Sequence, residues 1–137
     1  MKNSIEIFLE NIQPYAPTVL RVGLSLVFLW FGSQQLLHTS SWVGLIPDSV
    51  VSISGFSAVT LVYINGTFEV VFGLCLFLGF FTRISALLLA IHLLQITFIV
   101  GYNDVGVRDF GLSMATISVF LFGPSKCSLD EFFVKKL

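Results

Sequence analysis

Charged residues are scarce in this sequence. Asp, Glu, Lys and Arg make up 11% of its 137 residues, whereas hydrophobic residues make up 55%. Soluble domains carry about a quarter charged residues, because their surfaces face water. The mean hydropathy of +0.93 points the same way, so the composition predicts an integral membrane protein whose partner is the lipid bilayer.

Basic clusters and metal-binding motifs are also missing. The formal net charge is −1, and no run of Lys or Arg could neutralise nucleic-acid phosphates. Cys75 and Cys127 are far apart and show no CxxC or zinc-type spacing. The sequence offers no ligand set for haem or an iron–sulfur cluster. We therefore expect neither a nucleic-acid partner nor a zinc, haem or iron–sulfur cofactor.

Four long apolar runs account for most of the chain. They lie at about 17–37, 57–79, 82–102 and 107–123. About 20 helical residues cross a hydrocarbon core about 30 Å thick, and the runs lack the alternating pattern of strands. The sequence predicts an all-α membrane protein that forms a four-transmembrane-helix bundle, with one domain covering residues 1–137.

Shorter segments flank these runs. Residues 1–13 carry apolar side chains at helical spacing, which predicts a short amphipathic helix on the membrane surface. In the tail, Ser128 and Glu131 have capping-box spacing, and the following residues predict a second surface helix. The stretch between the first two runs contains Trp42, and its mixed polarity predicts an interfacial segment.

Basic residues are distributed unequally between the two sides of such a bundle. With four spans, both termini and the link between the second and third runs share one side. That side holds Lys2, Arg83, Lys126, Lys135 and Lys136, and the other side holds Arg108. The positive-inside rule predicts that both termini are cytoplasmic.

Two ionisable residues fall near the middle of predicted spans. Glu69 lies about ten residues from either end of the second run, and His92 about ten residues into the third. A charge at the membrane centre costs about 3 kcal/mol by insertion scales, so each such group needs a partner or a function. Because the link between these runs is short, we expect Glu69 and His92 to face each other.

Helical geometry adds polar neighbours to this pair. Asn65 lies one turn from Glu69, and Gln95 lies close to one turn from His92. The resulting candidate intramembrane polar site consists of Glu69, His92, Asn65, Gln95, Gln35, Arg108 and Asp109. On the fourth helix, the inward face is predicted to carry Arg108, Gly111, Ala115 and Ser118. An alternative is that the polar groups only hold the helices together.

Several segments follow a recognisable pattern: Arg21 followed by VGLSLVFLWFG, then WVGLIPD, FEVVFGLCLFLGFFTR, VRDFGL and GPSKCSLDEFF. With these segments the chain resembles the DoxX-like small membrane proteins. The resemblance implies a four-helix bundle in the plasma membrane of a prokaryote. Many members carry Gly-x-x-Lys near the end of the first helix, whereas here Gly32 is followed by Ser33, Gln34 and Gln35.

The resemblance leaves three functional hypotheses open. Some relatives are associated with quinone-linked oxidoreductase complexes, which implies an accessory subunit that works with a quinone and a membrane redox partner. The second hypothesis is a carrier of a small solute through the polar track, for which we expect a homodimer. The third is a non-enzymatic scaffold or assembly factor. Whether the chain is catalytic stays open at this point.

Overall fold

A computed structural model describes residues 3–134 of the chain. Lys2, Lys135 and Lys136, which contribute to the predicted orientation, lie outside this range. The helices in chain order are α1 (Ser4–Ile12), α2 (Ala16–Leu37), α3 (Ser40–Val43), α4 (Asp48–Ser54), α5 (Ala58–Leu78), α6 (Thr82–Val100), α7 (Asp104–Phe122) and α8 (Leu129–Val134).

Four of these helices form the body of the protein. Four helical stretches are each long and apolar enough to cross a membrane: Ser4–Leu37, which includes α2, and helices α5, α6 and α7. The described residues contain no strand. The predicted class, a four-transmembrane-helix bundle with short helices at both termini, is confirmed.

The spanning helices pack as two pairs, α2 with α5 and α6 with α7. Gly32 and Gly66 allow the first pair to approach closely, since a Cβ atom on Gly32 would lie 2.8 Å from the carbonyl oxygen of Gly66. Helices α5 and α6 are joined by a short link over residues 79–81, yet they pack less extensively against each other. The α2–α5 approach therefore sets the distance between polar side chains on these helices.

Helix α7 begins earlier than the fourth apolar run. Asn103 caps it, and its Oδ1 accepts a hydrogen bond of 2.9 Å from the backbone N–H of Gly106. The buried face of α7 consists of Gly106, Asp109, Ser113, Thr116 and Val119.

The inward face predicted for α7 was wrong at Arg108 and Gly111, whereas Ala115 packs against the core. Gly111 is exposed, and a Cβ atom there would meet nothing within 4 Å. Ser113 and Thr116 point inward instead. Their hydroxyls donate to the carbonyls of Phe110 and Leu112, so their burial leaves no unsatisfied donor in the core.

The short segments lie outside the core. Helices α1, α3 and α4 contain no buried residue. A 3-10 turn over Gln13–Tyr15 connects α1 to α2. Between α2 and α5, the Trp42 ring packs edge-on against Phe31, with ring centroids 6.0 Å apart.

Arg21 joins three parts of the chain at the end of the bundle where residues 123–134 fold back. Its side chain is 1% exposed. One nitrogen donates to the carbonyls of Leu76 and Phe77, at 2.7 and 2.5 Å. The other two donate to Ser125 Oγ at 3.1 Å and to the carbonyl of Cys127 at 3.2 Å. The guanidinium thus binds the C-terminal end of α5 to the segment after α7.

Asp130 connects the same tail to the start of α6. Its two carboxylate oxygens accept hydrogen bonds from the backbone N–H groups of Phe81 and Thr82, at 2.9 and 2.8 Å. Its own N–H donates to the carbonyl of Gly79 at 2.9 Å. Asp130 therefore satisfies donors at a helix N-terminus that would otherwise lack partners.

Candidate functional site

Glu69 lies in the middle of α5, and its side chain faces into the bundle with 4% exposure. Its Oε2 accepts a hydrogen bond from Gln35 Nε2 at 3.0 Å. Its Oε1 accepts from Asn65 Nδ2 at 3.2 Å. The same Asn65 nitrogen donates to Gln35 Oε1 at 2.6 Å. These three side chains form a closed network between α2 and α5, and both carboxylate oxygens have an amide donor.

The close approach of the helices makes this network possible. Gly32 precedes Gln35 by one turn on α2, and Gly66 stands between Asn65 and Glu69 on α5. A Cβ atom on Gly66 would lie 2.9 Å from the Cβ of Gln35. Because neither glycine carries a side chain, the short amides and the carboxylate reach each other across the helix pair.

His92 approaches Glu69 from α6. Its Nε2 lies 3.6 Å from Glu69 Oε1, a distance suited to an ion pair but longer than a hydrogen bond. This nitrogen is buried and has no hydrogen-bond partner among the described residues. The imidazole stacks on the ring of Phe68, with centroids 4.7 Å apart and an angle of 33° between the planes.

This arrangement brings a carboxyl group and an imidazole together inside the bundle. Amide donors contact both carboxyl oxygens of Glu69, and hydrogen bonds to a charged group are stronger than those between neutral groups. A proton on His92 Nε2 would face that carboxylate at short range, where the low dielectric strengthens their attraction. Glu69 and His92 are therefore a potential acid–base pair.

Arg108 and Asp109 lie beside α2, close to this network. Arg108 Nε donates to Asp109 Oδ1 at 2.8 Å, and Asp109 is 4% exposed. The Arg108 guanidinium lies over the Phe31 ring, 4.8 Å from its centroid. Phe31 precedes Gln35 by about one turn of α2. No hydrogen bond joins Arg108 or Asp109 to Glu69 among the residues that the structure describes.

A family model for DoxX matches residues 16–102. The chain belongs to the DoxX family. The matched region contains Glu69, Gln35, Asn65 and His92, whereas Arg108 and Asp109 lie beyond it.

This DoxX-family chain is also similar to a Haemophilus influenzae protein described as uncharacterized. The two are 27% identical over 138 residues, which cover 93% of this chain and 98% of the relative. No solved structure matches the chain significantly.

Gln95 is not brought into the network. It is exposed on α6, whereas Leu89 and Leu93 are buried there. Residues two positions apart in a helix differ by about 200° around its axis. Gln95 therefore points away from the side on which Leu93 is buried. His92 is partly buried at the edge of that side, which brings it near Glu69 without bringing Gln95.

The side chains that could bind a metal do not converge. Within residues 3–134, no group of three or more His, Cys, Asp or Glu side chains could hold a metal ion. Cys75 and Cys127 are free thiols. Glu69 and His92 lie together as a pair with amide neighbours.

Sequence reasoning missed the aromatic partners of the polar residues. Phe68 stacks on His92, and Phe31 lies beneath Arg108. The chain has 15 phenylalanines, so their identity alone does not distinguish these two. The sequence also did not indicate that Asp130 caps α6, because the contact joins residues about fifty positions apart.

Proposed function

We propose that this DoxX-family protein is an accessory subunit of a redox or quinone-linked membrane complex, with Glu69 and His92 as a proton-exchange site. The observation that carries the proposal is the buried His92 Nε2, which lacks a hydrogen-bond partner among the described residues and lies 3.6 Å from Glu69 Oε1. A buried nitrogen without a hydrogen bond is unfavourable for folding. An ionisable side chain of this kind within a membrane span favours a functional role.

The neighbouring side chains support a quinone as the ligand class. A quinone site needs a hydrogen-bonding group beside an apolar surface, and His92 with the stacked Phe68 ring supplies both. When bound, the quinone would supply the two-electron chemistry. Because reduction of a quinone to the quinol takes up two protons with the two electrons, Glu69 and His92 would relay these two protons in succession. Electrons would come from a membrane redox partner, because the sequence has no ligand set for haem or an iron–sulfur cluster.

The proposed location is the plasma membrane of a prokaryote, with both termini in the cytoplasm. Arg83 and Lys126 lie toward the end of the bundle where residues 123–134 fold back, and Arg108 belongs to the first turns of α7, toward the opposite end. This asymmetry supports the orientation through the positive-inside rule. Reporter fusions at residue 137 and in the segment between α3 and α4 test it, and a periplasmic C-terminus would overturn it.

The functional test starts from the complex purified in mild detergent through a tag on this chain. Glu69→Gln keeps the size of the side chain and removes its acidity. Its single amide oxygen can accept only one of the two hydrogen bonds that the carboxylate accepts from Gln35 and Asn65. We expect quinone-dependent activity of the isolated complex to fall about 100-fold, as for loss of a general acid–base group. Gln95→Leu is the control, because this exposed residue of α6 lies outside the network.

Two results would contradict the proposal. One is a wild-type preparation in which no redox activity accompanies the tagged chain. The other is full activity in Glu69→Gln together with loss of assembled complex in Glu69→Leu. The second result would assign the network to helix packing, and so to the scaffold hypothesis, since its hydrogen bonds join α2 to α5.

A further inference from the structure

A shallow groove lies where the link between α5 and α6 meets the tail after α7. It has a volume of about 450 Å³. We call it the headgroup groove. Its principal lining residues are Phe81, Arg83, Ile84, Asp130 and Phe133. Thr82 begins the spanning helix α6, so the groove lies at the depth where a bilayer changes from hydrocarbon to headgroups.

The groove contains one cation, Arg83, and one anion, Asp130, which contact different parts of the backbone. Asp130 is held by two backbone N–H groups at the start of α6. Arg83 rests on the backbone at Gly123, where a Cβ atom would lie 2.6 Å from its Nε. Gly123 has φ of +76°, a backbone conformation that favours glycine.

The two charges do not neutralise each other. The structure shows no ion pair between Arg83 and Asp130, both of which belong to the described part of the chain. Arg21, the other cation near Asp130, donates instead to Leu76, Phe77, Ser125 and Cys127. The groove thus presents a separate positive and negative group at the membrane boundary.

The remaining walls are apolar and exposed. Phe81, Ile84 and Phe133 are each more than half exposed, and at this depth they would contact acyl chains. A cation beside an anion and an apolar wall matches a lipid that carries a phosphate and an ammonium group above two chains. A purely anionic headgroup would bring its phosphate close to Asp130 without an ammonium to compensate.

We propose that the headgroup groove binds a phospholipid with a primary-amine headgroup, phosphatidylethanolamine in chemical class. Arg83 binds the phosphate, and the carboxylate of Asp130 accepts a hydrogen bond from the ammonium. The acyl chains lie along Ile84 and its aromatic neighbours. Choline lipids carry the same charges but cannot donate a hydrogen bond to Asp130. This inference does not depend on the proposed redox function.

The test measures lipid bound to the full-length protein by native mass spectrometry, after delipidation and addition of phosphatidylethanolamine, phosphatidylcholine or phosphatidylglycerol. We expect the ethanolamine lipid to bind about tenfold more tightly than the other two, as for one charge-assisted hydrogen bond. Asp130→Asn should remove this preference, because it removes the carboxylate that binds the ammonium. Arg83→Gln should weaken binding of all three lipids, because each carries the phosphate, and Arg83→Lys should retain part of that binding.

Lys126→Gln is the matched control, because the Lys126 ammonium lies over the Tyr15 ring at the same end of the protein and outside the groove. It should keep the preference for the amine lipid. Equal binding of all three lipids would mean adventitious lipid only and would overturn the proposal. An unchanged preference in Asp130→Asn, unchanged affinity in Arg83→Gln, or tighter binding of the glycerol lipid would overturn it as well.

Discussion

The side-chain amide of Gln35 donates to Glu69 Oε2 at 3.0 Å and joins α2 to α5 within the membrane. Helix backbones without glycine would stand too far apart for these short side chains. The pair Gly32 and Gly66, which brings the helices together, is therefore as important to the site as the polar residues themselves.

We expect Gly32→Ala to destabilise the protein by about 1–3 kcal/mol, the range for overpacking a close contact. The added methyl group would lie 2.8 Å from a backbone oxygen, which cannot move aside without separating the helices. Chemical unfolding in detergent, followed by circular dichroism, measures the change.

Gly111→Ala is the control for that experiment, because its methyl group would meet nothing within 4 Å. We expect it to be neutral or to stabilise α7 by up to about 1 kcal/mol through helix propensity. Equal destabilisation by the two substitutions would show that the α2–α5 approach is not specifically tight.

Gln35→Lys places an ammonium beside the carboxylate of Glu69, at the position where many family members carry lysine. An ammonium inside the bundle that loses its charged partner is strongly destabilising. We therefore expect Glu69→Gln to lower the thermal stability more in the Gln35→Lys background than in the wild type, as measured by circular dichroism in detergent. Gln34→Lys is the comparison, since its side chain is turned about 100° away. An equal effect of Glu69→Gln in both lysine backgrounds would disprove the close contact.

Arg21→Lys should destabilise the tail after α7. A lysine ammonium cannot reach the four acceptors that the guanidinium binds, and each buried carbonyl left unpaired costs about 1–3 kcal/mol. We expect faster hydrogen exchange and proteolysis over residues 124–134. Arg108→Lys, at a guanidinium with a 45% exposed side chain, should leave this region unchanged, and protection that survives Arg21→Lys would argue against the role of Arg21.

Asp130→Ala should weaken the start of α6, because it removes both acceptors from the N–H groups of Phe81 and Thr82. Loss of a cap of this kind costs about 0.5–2 kcal/mol. The measurement is amide exchange at these two residues. Asp48→Ala provides the reference, since Asp48 is an exposed residue in the first turn of α4. The assignment would be contradicted if Asp130→Ala exchanged no faster than Asp48→Ala at the start of α6.

Part of the site could be expected from the chain itself. Glu69 and His92 sit at similar distances from the short link at residues 79–81, so two antiparallel helices must bring them to the same level. Gln95 shows the limit of this reasoning, because depth along a helix does not specify which side a residue faces. The same limit applies on α7. Arg108 was predicted to face inward, but Asp109 is the buried member of the pair.

The amino-acid sequence by itself determined that this protein is a bundle of four membrane-spanning helices, because long apolar runs without strand-like alternation satisfy their backbone groups in lipid only as helices. It also predicted which polar residues lie near the middle of the spans. Only the tertiary structure decided which of them meet. That outcome depends on helix rotation and on the close approach at Gly32 and Gly66, and both arise from contacts between distant parts of the chain.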